Sequence, residues 1–72
     1  AKLRYMSNGL MEAPMVIRAG AGAVRSAGPH HSGAYHPIWA HLPGLVVCLP
    51  SPPADAKGLM KTALIARDPV LM

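Results

Sequence analysis

The sequence predicts an α/β fold built on a partial parallel sheet in βαβαβ order. Three observations carry this expectation. Short apolar runs rich in β-branched residues recur at Met15 to Arg18, at Leu45 to Leu49 and from Pro69 onward. A segment of helical period opens near Ser51 and separates the second run from the third. Stretches rich in Gly and Pro divide these elements and suit loops. Strands alternating with helical segments imply parallel pairing through right-handed crossovers. The runs also lack polar alternation, the pattern of strands covered on both faces.

In chain order, Ala1 to Met6 reads as the last turns of a helix stopped by Ser7-Asn8-Gly9, since Asn and Gly tolerate the left-handed cap. Met15 to Arg18 follows Pro14 as the first strand. Ala19 to Ser32 holds three of its glycines at 20, 22 and 28, with Pro29, and is too flexible for a regular element. A short helix is expected from about Tyr35 to His41, ended by Pro43-Gly44, and Leu45 to Leu49 is the second strand. Ser51 and Pro52 then open the best-defined helix: serine can accept from a free amide of the first turn, and Asp55 suits the positive end of the dipole. Ala56, Leu59, Met60, Ala63 and Leu64 form its apolar face, and Gly58 suggests a close approach to the sheet. The third strand begins at Pro69.

Seventy-two residues allow one small domain, and no internal boundary or repeat divides positions 1–72. A chain this short buries only about 60% of its unfolded surface. With 51% hydrophobic and 14% charged residues it is too apolar for a disordered tail, so part of its cover is expected to lie outside it. It starts without Met and stops on a strand-like run, and both ends are expected to be interior points of a longer chain.

The net charge of +4 comes from seven scattered Lys and Arg against three acids. No basic run tracks phosphates, and three aromatic residues make no stacking platform, so nucleic acid is not an expected partner. No apolar stretch approaches the ~20 residues of a membrane span, and the opening Ala1-Lys2-Leu3-Arg4 lacks the apolar core of a signal peptide. Cys48 is the only cysteine; within an apolar run it reads as a small core hydrophobe. A lone cysteine also sets a reducing compartment as the default.

Residues able to carry chemistry gather in the long loop after the first strand, where open parallel sheets bind ligands. Gly20, Gly22 and Gly28 permit close backbone approach, Arg25 can hold an anion, and His30 and His31 can move protons near neutral pH. A plain surface loop explains the same residues equally well. The run Gly20-Ala21-Gly22-Ala23-Val24-Arg25 lacks the third glycine of a dinucleotide fingerprint. Four histidines within twelve residues (His30, His31, His36, His41) suggest zinc, but the spacing is poor. His30 and His31, being adjacent, are expected to project in different directions; His36 and His41 are five apart; no acid or thiol lies nearby. His41 suits the negative end of the short helix.

The order of several short motifs is more specific. Tyr5-Met6-Ser7-Asn8-Gly9, Pro14-Met15-Val16-Ile17-Arg18, Gly28-Pro29-His30-His31-Ser32, Trp39-Ala40-His41-Leu42-Pro43-Gly44-Leu45, Pro50-Ser51 and Asp55-Ala56-Lys57-Gly58-Leu59 run along the whole chain. Together they resemble the beta subunits of thiamine-diphosphate-dependent 2-oxo-acid dehydrogenases, those for pyruvate and for branched-chain substrates. The resemblance implies a fragment of the transketolase-like domain that grips the aminopyrimidine of thiamine diphosphate. It also implies a parent that decarboxylates a 2-oxo acid oxidatively and acylates lipoamide. His31 falls on the histidine of the family's H-S-Q motif, and Ser32 matches, but Gly33 stands where Gln is usual. His36 replaces an acid at the next helix start.

By the same resemblance, Met15, Ala63, Leu64, Ala66 and Asp68 occupy the positions of a structural potassium site made mostly of backbone carbonyls. The cofactor-activating glutamate lies upstream of Ala1, and Glu12 does not take its role. Magnesium and the diphosphate belong to the partner subunit or domain. The implied partners are an alpha subunit, or a fused alpha domain, and the lipoyl acyltransferase. The implied setting is the cytoplasm, or the mitochondrial matrix in a eukaryote. The chain alone is expected to be inactive. The rival reading is a non-catalytic segment that folds by self-association.

Overall fold

A computed structural model describes residues 1–23 and 26–72. Strands β1 (Val16–Ile17), β2 (Val46–Val47) and β3 (Val70–Leu71) form one parallel sheet in the order β1-β3-β2. The expected α/β class and parallel pairing are therefore present. Each paired core is shorter than its apolar run, but single ladder bonds carry the sheet outward. The Val70 N–H donates to the Met15 carbonyl at 2.9 Å and the Met72 N–H to Ile17 at 2.8 Å. On the other side, the Val46 N–H donates to Pro69 at 3.0 Å and the Cys48 N–H to Leu71 at 2.8 Å.

Val16, Val70 and Val46 share one register row, and Ile17, Leu71 and Val47 the next. Successive side chains point to opposite faces. Val46, Cys48 and Val70 meet Leu59, Ala63 and Ala66 on one face, so Cys48 packs as the expected small hydrophobe. Ile17, Leu45 and Leu71 line a groove with Trp39 and Leu42 on the other. Val70, at 3% exposure on the central strand, and Ala63, at 5%, are the buried apolar centre among the described residues.

The first face is covered by α3 (Pro53–Leu64). Its opening differs from the sequence expectation. Pro52, in an extended conformation, is the N-cap, Pro53 begins the helix, and no side chain caps it. Ser51 is exposed one position too early to reach the first-turn amides. Leu64 also departs: it is 68% exposed, while its neighbour Ala63 holds the position that faces the sheet. Gly58 has open space where a Cβ would stand, so no close approach to the sheet accounts for it.

The helix α1 (Leu3–Met6) closes as expected on Asn8 and Gly9, at φ of 53° and 81°. The Gly9 N–H reaches back to the Arg4 carbonyl at 2.9 Å, the six-to-one bond of a left-handed cap. The short helix α2 (His36–Ala40) sits inside its predicted limits, with His41 as C-cap. Gly44 then turns at φ 82° against the Ala1 carbonyl, a place with no room for a side chain.

Burial of the strands on both faces is not achieved within the chain. Ile17 and Val46 are 45% and 46% exposed, because one long helix and one short one cannot cover a three-stranded sheet. The chain is a slab of 44 × 26 × 13 Å. Its accessible surface is 5585 Å², against about 4,200 Å² for a compact protein of this mass.

Candidate functional site at the carboxyl edge of the sheet

The loop that leaves β1 starts at the carboxyl edge, fixed there by the Ala19 N–H donating to the Met72 carbonyl at 2.8 Å. The loop returns on itself: Gly22 N–H points to the Gly33 carbonyl at 3.5 Å. Gly22 and Gly28 have φ of 85° and 80°, a conformation that needs glycine. At Gly20, Gly22 and Gly28 the space a Cβ would fill is open, so a flat ligand can approach the main chain. Arg25, the expected anion holder, lies outside the described residues.

His30 and His31 stand on a single 3-10 turn, Pro29–His31, closed by the His31 N–H on the Gly28 carbonyl at 3.3 Å. Both imidazoles are exposed. They do not diverge as expected for neighbours: the ring centroids lie 4.0 Å apart at 45°. Among the described residues no three His, Cys, Asp or Glu side chains converge as a metal-binding group.

Beyond His31, the chain passes Gly33 and enters α2 without an acidic residue in the first turn or a side-chain cap. Tyr35, His36 and Trp39 then border a cavity of about 110 Å³ with Gly20, Gly33 and Leu49. The Tyr35 ring lies on Gly33, in the space a side chain there would need. His36 Nδ1 is buried without a hydrogen-bond partner among the described residues. No motif marks Tyr35 in the sequence, and Trp39 enters only as the first residue of a family motif, with no role in a site attached to it. The glycine two positions before an aromatic residue is the one trace of their arrangement.

The positions implied for potassium split in two. Met15 lends its carbonyl to the Val70 amide, and Ala63 lends its own to the Ala66 amide at 3.2 Å. Leu64 ends α3, and Ala66 lies between α3 and β3. The Asp68 carboxylate, in contrast, accepts from Arg4 Nη1 at 2.8 Å. Glu12 forms an ion pair with Arg67 and stands clear of the loop chemistry.

No helix among the described residues is long and apolar enough to cross a membrane. The chain is 48% identical over 71 residues to the beta subunit of an acetoin:2,6-dichlorophenolindophenol oxidoreductase from Cupriavidus necator, covering 99% of this chain and 21% of that protein. It is 45% identical to the pyruvate dehydrogenase beta subunit of Rhizobium meliloti, with 99% and 15% covered. Identity is also 45% to the 2-oxoisovalerate dehydrogenase beta subunit of Bacillus subtilis, with 99% and 22% covered. The chain thus spans roughly a fifth of the length of these relatives. The family model of the transketolase pyrimidine-binding domain matches residues 1–72. With that match along its whole length, and the parallel sheet to support it, the chain belongs to the transketolase pyrimidine-binding domain family.

Proposed function

We propose that this chain forms part of the decarboxylating component of a 2-oxo-acid dehydrogenase, in which thiamine diphosphate is held between this domain and an alpha subunit or domain. The observation that carries the reading is the position of His31, exposed on a loop at the carboxyl edge of a parallel sheet in a domain of this family. The glycine-bearing loop fits the ring half of the cofactor, since Gly20, Gly22 and Gly28 leave its surface open. Magnesium and the diphosphate would be held by the alpha partner. Bound cofactor supplies the carbanion chemistry.

His31 hydrogen-bonds the substrate oxygen and holds or delivers a proton there, in the decarboxylation and in the acyl transfer to lipoamide. The main-chain oxygens of Met15, Ala63, Leu64 and Ala66 suit a hard cation such as potassium. Asp68 would add its carbonyl, because its carboxylate already faces Arg4. The lipoyl acyltransferase is the downstream partner, and the cytoplasm or mitochondrial matrix is the place of action. A second reading, a hydroxyketone in place of the 2-oxo acid, is favoured by the 48% identity to the acetoin oxidoreductase beta subunit.

The test is reconstitution of the full-length protein with its alpha partner and thiamine diphosphate. Turnover is measured with pyruvate, 2-oxoisovalerate and acetoin. Activity on a 2-oxo acid is expected. Activity on acetoin alone would transfer the assignment to the second reading, and inactivity on all three would overturn both.

A further inference from the structure

We propose that Tyr35, seated on Gly33 beside the unpartnered Nδ1 of His36, is the specificity-determining wall of the small carboxyl-edge cavity. The occupant is the short carbon chain of the substrate, with one oxygen placed to hydrogen-bond His36. This rests on the functional reading above and names the part of the substrate that the cavity takes.

Three independent features point the same way. The cavity, at about 110 Å³, is well below the ~300–1,000 Å³ of pockets for drug-sized ligands, so it takes a group of a few carbon atoms. Its wall is mostly apolar, from Trp39, Leu49 and Leu71. His36 also lines it, and its Nδ1 is buried and lacks a partner among the described residues. Such an atom carries a desolvation cost that a ligand group relieves once the imidazole turns it toward the cavity. Finally, the Tyr35 ring fills the place of a side chain at 33, so a residue larger than glycine there and the ring in its present position exclude each other. Tyr35 is 57% exposed and has room to swing away. The ring therefore acts as a movable wall whose seat exists because residue 33 is glycine.

The experiment uses the full-length protein with its partner subunit and thiamine diphosphate, as wild type and as Tyr35→Ala, Tyr35→Phe, Gly33→Ala and the Gly33→Ala/Tyr35→Ala double variant. The ratio of kcat/KM for 2-oxoisovalerate to that for pyruvate is read in each. One methylene in an apolar pocket typically changes discrimination ~10–200-fold. Tyr35→Ala is expected to raise the ratio at least about tenfold, mainly through KM, and Tyr35→Phe to leave it unchanged. Gly33→Ala should move the ratio in the same direction, with no further change in the double variant. His36→Asn, which keeps a hydrogen-bonding group near Nδ1, should hold KM closer to wild type than His36→Ala.

Thermal unfolding supplies a readout separate from turnover: Gly33→Ala should lower the midpoint when introduced into the wild type and not when introduced into the Tyr35→Ala variant. An unchanged substrate ratio in Tyr35→Ala, with an active wild type, would overturn the specificity role. Equal unfolding effects of Gly33→Ala in both backgrounds would overturn the seating of the ring. A wild type inactive on every 2-oxo acid and hydroxyketone would remove the functional reading and the substrate assignment with it, while the unfolding comparison would still decide the Tyr35–Gly33 contact.

Discussion

Arg4 Nη1 donates to Asp68 Oδ2 at 2.8 Å, tying α1 to the turn that launches the central strand across 64 positions of sequence. The neighbouring Arg67 pairs with Glu12, so the Arg67-Asp68 step receives two partners of opposite sign from the first twelve residues. The Arg4 and Asp68 side chains are 38% and 29% exposed, which keeps the pair partly screened. Arg4→Ala should therefore cost only about 0.5–1 kcal/mol. Urea unfolding of the full-length protein measures it, and the exchanged pair Arg4→Asp/Asp68→Arg should recover part of the loss. Full stability in Arg4→Ala would show that the pair contributes nothing.

Val70 is the residue on which the sheet depends most. It is paired on both sides in the ladder and 3% exposed. Val70→Ala removes two buried methyl groups and should destabilise by about 1–3 kcal/mol. Val70→Asp would bury a charge at the apolar centre of the sheet and should abolish soluble expression of the folded protein. Circular dichroism against denaturant separates the two variants. A near-neutral Val70→Ala would mean that the strand is less closely packed than its burial indicates.

His31→Ala, in the full-length protein, should lower kcat by about 10²–10⁴-fold, the usual contribution of a positioned acid or base. The dissociation constant of thiamine diphosphate should change far less, because His31 sits on the exposed loop and not among the groups that would hold the diphosphate. Steady-state kinetics and cofactor titration read the two separately. Unchanged kcat would reduce His31 to a loop residue.

Taken alone, the 72-residue chain should associate rather than persist as a monomer. Its radius of gyration of 13.8 Å exceeds the about 11 Å of a compact chain this long. Leu10, Ile38, Leu49, Leu64 and Ile65 all stand more than half exposed. The edge strands β1 and β2 each leave one side unpaired in the sheet, and such edges recruit other chains. Sedimentation at low micromolar concentration should give a dimer or larger species, and calorimetry should detect no tight binding of thiamine diphosphate. A cooperative, monomeric unfolding transition would mean that the chain covers its own core after all.

The sequence by itself determined the element order, the parallel class and the family, because each depends on local pattern. β-branched runs mark the strands, a 3.6-residue period marks α3, and Asn8-Gly9 marks a left-handed cap whatever surrounds it. His31 stands out in the sequence through its place in a short motif, and its role is the one proposed above. Only the tertiary structure decided that β3 is central, that Arg4 meets Asp68 and that Tyr35 rests on Gly33. It also moved the start of α3 from Ser51 to Pro53 and left Leu64 outside the core, with Ala63 facing the sheet in its place. A strand's neighbours, and the partner of a charge, are set by which surfaces remain to be buried once the chain has folded back. That competition is global, and no local spacing records its outcome.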